Sequence, residues 1–231
     1  MLVCQAPPIM VTLRVREVGM LIRSRGQEPV VDASAYVAPT AALVGRASIG
    51  PRARVMYGAV LDSEASSVEV GECAIVCENA VLRATAAGKA DLPVVVGDHA
   101  FVGPHATLLG CTVEPACYVA TGATVLQGAR LGTGAVVAAG ALVHANSVVP
   151  SEFFVPPNAI ALGDPLRLYS PGDEGLPEAI RSVNFARTAF GVRTDWEDRI
   201  ARYRESAEVR SQEFAAHLED VVLDLGQSNV S

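Results

Sequence analysis

The stretch FVGPHATLLGC, residues 101 to 111, has the outline of a zinc-binding turn and carries one histidine, His105. A zinc centre that activates water needs neutral imidazole or thiolate donors, usually three, with a fourth position left open. The chain offers four histidines, His99, His105, His144 and His217, and five cysteines, Cys4, Cys73, Cys77, Cys111 and Cys117. No histidine has a second ligand at a recognisable spacing, so each reads as a surface or structural residue and no metal is expected. His99 precedes a repeat unit at a corner, His144 follows Val143 in a late repeat, and His217 falls in a C-terminal helix. The cysteine count is odd and the start MLVCQAPPIM lacks a basic region followed by an apolar run. Free, buried thiols in a reducing cytoplasm are therefore expected.

The elements that must position these residues follow a six-residue period. Aliphatic residues recur at Val37, Leu43, Ile49, Val55 and Leu61, resume at Val70, Val76 and Leu82, and resume again at Val96, Val102 and Leu108. They then run unbroken through Val113, Val119, Val125, Leu131, Val137, Val143 and Val149. The residue four further on is nearly always small, as at Ala53, Ala59, Ala80, Ala106, Ala123 and Ala141. A hexad of this kind is a short strand and a turn, and three hexads close one coil of a parallel β-helix. The aliphatic residue points inward and stacks on its equivalent one coil away, about 4.8 Å along the axis. A β-sandwich would show period two instead. The expected fold is an all-β solenoid, a left-handed parallel β-helix of about six coils. Two stretches, 63–69 (SEASSVE) and 84–93 (ATAAGKADLP), break the period and must loop out of the stack.

Past Val149 the period gives way to proline and glycine, and then to two helical patterns, PEAIRSVNFARTAFGV and DWEDRIARYRESAEVRSQEFAAHLEDVVLDL. Trp196, Ile200, Tyr203, Ala207, Phe214, Leu218, Val221 and Leu225 mark the second helix's apolar side, Asp195 is its expected cap, and a helix lying along the β-helix is expected. The chain divides into an N-terminal extension and lead-in strand (1–33), the β-helix (34–168) and a C-terminal helical segment (169–231). Half the residues are hydrophobic but only 5% are aromatic, which suits a core of small and β-branched side chains. A net charge of -7, with Lys89 the only lysine, argues against nucleic acid or an anionic membrane as partner. No apolar run reaches the length of a membrane span.

The motifs PVVDASAYVAPTAALVGRASIGPRARVMYGAVLDSE, VGECAIVCENAVLR, VGPHATLLGCTV, VAAGALV and LGDPLRL, in that order across residues 20 to 168, resemble the γ-class carbonic anhydrase family. That family usually starts near the segment matching Met20, so residues 1 to 19 are either an extension or lie upstream of the true start. The resemblance implies a homotrimer with zinc held by three histidines at subunit interfaces. The matching positions here are Arg83, Pro104 and Leu109. Arginine stays protonated, and proline and leucine carry no side-chain donor atom. The family's supporting Arg and Asp become Asp62 and Glu64, and its Gln and Asp become Cys77 and Glu78. His105 lies one residue past a ligand position.

What the resemblance implies is thus a trimer with a rewritten site. Arg83 could pair with Asp62 as trimer glue. Alternatively Arg83, with His105 nearby, could bind a small carboxylate-type anion while Glu64, Glu78 or Cys77 acts as acid, base or nucleophile. The rival reading is a hexapeptide acyltransferase acting on an acyl-CoA-type substrate. For that reading LGDPLRL resembles the family's exit loop, with Leu166 and Arg167 in place of Ala and Lys, and His105 or His144 would be the base. A third is a non-catalytic assembly subunit. No cofactor is expected under any of them.

Overall fold

A computed structural model describes residues 19–85 and 91–223. The hexads form a left-handed parallel β-helix of about eight turns, not six. Coils beyond the 37–149 run join the stack at both ends. Met20–Arg23 and Val30–Val31 lead in, and Phe154–Val155 and Ile160–Leu162 lead out.

Three sheets make the faces. The first has ten strands, and the second and third have seven each. Each coil visits the second face, then the third, then the first: Val68–Val70, Ile75–Val76 and Val81–Arg83 are one circuit. The register is set by the aliphatic residues. On the first face Leu21, Leu43, Leu61, Leu82 and Leu108 pair in sequence and continue through Val125, Val143 and Ala161. Leu43, Leu61, Leu82 and Leu108 are wholly buried, as are the small corner residues Ala53, Ala59, Ala80 and Ala106. A side chain larger than alanine at those corners would meet the next coil.

The third face carries an exposed aromatic row. Tyr36, Tyr118 and Phe154 point outward, and Phe101 stacks on Tyr118 with ring centroids 5.2 Å apart. The outer corners between the third and first faces need left-handed backbone. His105 (φ 58°) occupies this corner below Gly122 (φ 67°), with its N–H donating to Glu78 O. His105 is thus an exposed turn residue, standing where Asn79 stands one coil earlier.

The first interruption is shorter than expected. Val68 and Glu69 belong to the Val68–Val70 strand, so only residues 63–67 loop out, and Ser63, Glu64, Ser66 and Ser67 are buried within them. In the second, Thr85 and Leu92 close an antiparallel bridge; Lys89 lies outside the described residues, as does Cys4.

After the last coil, Arg167–Tyr169 turns back as an antiparallel strand on the first face. The first helical pattern is two helices, α1 (Leu176–Val183) and α2 (Phe185–Phe190), because Asn184 adopts a left-handed conformation (φ 47°) that ends one and begins the other. The next helix, α3 (Arg199–Phe214), is capped by Asp198, whose side chain accepts from Ala201 N at 3.0 Å; the expected cap Asp195 is three residues too early. Its expected apolar face is only partly used. Ile200 and Tyr203 are exposed, while Arg202 is buried against Trp196, 4.4 Å from the ring centroid. A short 3-10 turn (Ala215–Glu219) and the strand Val221–Val222 follow, and the strand pairs antiparallel with Met20–Arg23. The C-terminal segment therefore returns from the last coil to the first and covers the edge left open there, which in a solenoid is an aggregation hazard.

Leu82→Ala should cost about 3 kcal/mol, because its rung neighbours Leu61 and Leu108 are fixed by the ladder and cannot close the hole. A urea titration checks this: the midpoint should fall with the slope unchanged.

Candidate functional site

Because the ladder residues of the first face point inward, the residues just after them point outward in a row. The row reads Val44, Asp62, Arg83 and Leu109 in direct register. One position past Val125 and Val143 on the same ladder stand Leu126 and His144. The C-terminal segment covers both ends of this row, leaving Val44, Asp62 and His144 buried. The two charged members of the row, Asp62 and Arg83, are neighbours.

The loop at 63–67 adds Glu64, held in left-handed backbone (φ 44°), its N–H donating to Asp62 Oδ1 at 2.9 Å. From above, α3 supplies Arg210. Its guanidinium grips Glu64 with both terminal nitrogens, at 3.1 and 2.6 Å, and also reaches Glu213 at 2.5 Å. Burial would lower the Arg210 pKa; the carboxylates of Glu64 and Glu213 reverse that and hold it above its ordinary value. The ring of Phe214 lies between the two arginines, 4.3 Å from Arg210 Cζ and 5.4 Å from Arg83 Cζ. His217 closes the group: Nδ1 is 2.8 Å from Asp220 Oδ2 and Nε2 is 3.7 Å from Asp62 Oδ2.

Of the sequence-stated candidates, Asp62, Glu64 and Arg83 come together here. Cys77, Glu78 and His105 do not. They sit at the corner before the first-face strand, whereas Asp62 and Arg83 end their strands. Within one chain Cys77 and Glu78 stand six and five residues before Arg83, at the opposite end of the Val81–Arg83 strand. Cys77 is also a poor nucleophile: burial, helped by the Glu78 charge, raises its thiol pKa. His217, Arg210 and Asp220 were missed as site residues. Arg210 and Glu64 are 146 residues apart, and nothing in local spacing links them.

The cluster does not suit zinc. The positions matching the family's ligands hold Arg83, Leu109 and Pro104, and among the described residues no three His, Cys, Asp or Glu side chains are grouped to hold a metal ion. Nor does its charge favour an anion. Four carboxylates (Asp62, Glu64, Glu213, Asp220) surround two guanidiniums. His144 is separate: buried, its Nδ1 without a hydrogen bond, and packed edge-on to Phe185 of α2 at 6.0 Å.

No protein-family model matches the chain. Gamma carbonic anhydrase 3, mitochondrial, of Arabidopsis thaliana is 44% identical over 94 residues, covering 39% of this chain and 36% of the relative. Gamma carbonic anhydrase-like 1, mitochondrial, of the same organism is 34% identical over 89 residues, covering 38% and 35%. Over these stretches the chain is similar to γ-class carbonic anhydrases. It spans about a third of the length of the curated relatives it matches. Among solved structures, a hexapeptide transferase family protein from Anaplasma phagocytophilum superposes with a TM-score of 0.55 at 26% identity, over 85% of this chain and 98% of its own. A putative acetyltransferase from Bacillus cereus shares the fold at 21% identity and a TM-score of 0.51, covering 84% and 94%.

Two measurements test the site's physics. At pH 8, iodoacetamide should label Cys73 before Cys77, Cys111 and Cys117, which are buried and whose thiols burial pushes up, Cys111 to about 12. Labelling of Cys77 at the Cys73 rate would mean that the corner opens. His144 gives a pH signature. Burial lowers its folded pKa below the unfolded value, so the unfolded chain binds the extra proton first and stability falls as pH drops through the unfolded value near 6.5. His144→Gln should flatten the loss of stability between pH 7 and 5, a slope bounded at about 1.4 kcal/mol per pH unit for one proton.

Proposed function

We propose that this chain is a homotrimeric γ-carbonic-anhydrase-like protein whose metal position has become a charged latch for its own C-terminal helix. It serves as a binding or assembly member, not a zinc-dependent hydration catalyst. The observation that carries this reading is the Glu64–Arg210 pair, with side chains 4% and 15% exposed, on a loop beside Asp62 and Arg83. Metal binding needs uncharged or anionic donors converging on one point; here an arginine occupies one such position and a second arginine is docked beside it. The outward row Ile75, Phe101, Tyr118, Val136 and Phe154 on the third face supports assembly, since an apolar stripe on a rigid face is suited to burial against another chain. Free cysteines at Cys73, Cys77, Cys111 and Cys117 support a reducing compartment, the cytoplasm in this reading.

A small carboxylate-type anion on Arg83 is the second reading. It is favoured by the buried Arg83 Nε, which has no hydrogen bond, and opposed by the excess of carboxylates. Acyl transfer has the likeness of fold to the Anaplasma hexapeptide transferase family protein, but the two candidate bases are ill placed: His105 is an exposed corner and His144 lies beneath α2.

Elemental mass spectrometry with light scattering tests the main reading. A mass near three times 24.1 kDa with less than about a tenth of a zinc per chain is expected. One zinc per chain, or a monomer, would overturn it. Glu64→Gln should cost about 3 kcal/mol by leaving Arg210 short of its buried partner, with amide exchange over 199–214 rising before global unfolding. Unchanged protection there would show that the pair does not hold the helix. Addition of acetate or bicarbonate should leave Arg83 side-chain NMR signals unmoved; a saturable shift would favour the anion reading.

A further inference from the structure

The C-terminal segment is docked at a second point, at the other end of the outward row from Glu64. There His144 stands between Leu126 and Leu162, one rung from each. It is 5% exposed, its Nδ1 is buried without a hydrogen bond, and Phe185 of α2 covers it edge-on, with ring centroids 6.0 Å apart. The rung neighbours carry no charge. The one charged side chain of α2, Arg187, is exposed. On α1, Glu178 and Arg181 are exposed and 3.5 Å from each other. Arg202 of α3 is turned to Trp196 and donates to Asn184 Oδ1 at 3.3 Å. His144 forms no ion pair among the described residues, and burial alone moves its proton affinity, downward.

The ring resists a second proton whichever nitrogen holds the first. An imidazolium carries N–H groups at both positions. It would therefore place a charged donor without an acceptor at Nδ1, in an apolar seat, which is costly. The cover over that seat is light. α1 and α2 bury Leu176, Ala186 and Ala189, and among the described residues their one hydrogen bond to the coils, from Asn146 Nδ2 to Thr188 Oγ1, is long at 3.4 Å. Gly175 precedes α1, and Gly191, in left-handed backbone (φ 68°), follows α2, so the two helices can swing as a unit between glycine joints. We propose that His144 is an acid-sensitive catch: protonation of its ring frees α1 and α2 from the last coils while α3 stays on the first ones. This goes beyond the latch at Glu64 and does not depend on it. With the helices lifted the ring takes a proton near its ordinary value of 6.5, and with them docked only at lower pH. Release is therefore favoured as pH falls through 6.5, by about tenfold between pH 7.5 and 5.5 for one proton.

Amide exchange of the full chain between pH 7.5 and 5.5, corrected for intrinsic rates, tests this. Protection over 176–190 should fall about tenfold while protection over 199–214 holds. Trp196, the chain's one tryptophan, has Arg181 Cζ of α1 5.9 Å from its ring and should change its emission over the same range. His144→Gln should abolish both responses, as should His144→Leu, which continues the run of Leu126 and Leu162. Undiminished protection over 176–190 in the wild type would overturn the catch, and so would a wild-type response in either variant. Simultaneous loss over 176–190 and 199–214 would also overturn it, because acid would then be unfolding the whole cover. Weak protection over 199–214 already at pH 7.5, with the 176–190 response intact, would count against the Glu64 latch and support a catch independent of it.

Discussion

The structure depends on the inward aliphatic stack of the first face. Leu43, Leu61, Leu82 and Leu108 lie directly over one another because parallel strands in register repeat every coil. Strand parity then dictates where their neighbours go: if Leu61 and Leu82 point in, Asp62 and Arg83 must point out, side by side. A one-residue slip would drive the aspartate and arginine into a core with no partners for them, at a cost far above that of any surface contact. The core therefore aims the charged row, and the row defines where the C-terminal segment can land.

That landing is electrostatic at one end and apolar at the other. Near the first coils α3 is held by Arg210 on Glu64 and by Arg25 donating to Glu213 O at 2.8 Å, while near the last coils α2 packs Phe185 on His144. A buried ion pair contributes little net stability against a well-packed apolar substitute, yet it is strongly directional. Its use here fits a helix whose exposed face still carries Ile200 and Tyr203: apolar contact alone would not choose between the faces of α3, whereas a bidentate grip on Glu64 does. The strand Val221–Val222 then has one register available beside Met20–Arg23.

The β-helix was legible because its signal is repeated: each coil states the same inward and corner positions. The end coils were missed because they state them only once. Leu21 and Val31 are separated by ten residues, and the last coil uses Ala161 where an aliphatic residue was expected. The C-terminal segment repeats nothing. The apolar spacing of α3 was readable, but which side it buried was decided by Glu64, far away in sequence, so Arg202 and Arg210 were taken inward and Ile200 left outside. Asp62, Glu64 and Arg83 were legible as a group only through family resemblance; His217 and Asp220 have no sequence signal tying them to that group.

Parity also separates what specifies the scaffold from what specifies chemistry. Inward residues and small corners fix the coil, and outward residues one step further along the same strands carry any site. The two sets share a backbone but no contacts, so substitution in one leaves the other's packing untouched. A chain can thus keep the coil while its outward row reads Asp62, Arg83 and Leu109. Likeness of coil is therefore informative about architecture and nearly silent about the row. Once an aspartate stands in that row under a cover, the cover must bring positive charge and hydrogen-bond donors, since burying a carboxylate without partners is costly. Arg83 meets part of that demand from the next rung, Glu64 N–H meets another part from the loop, and His217 faces what remains.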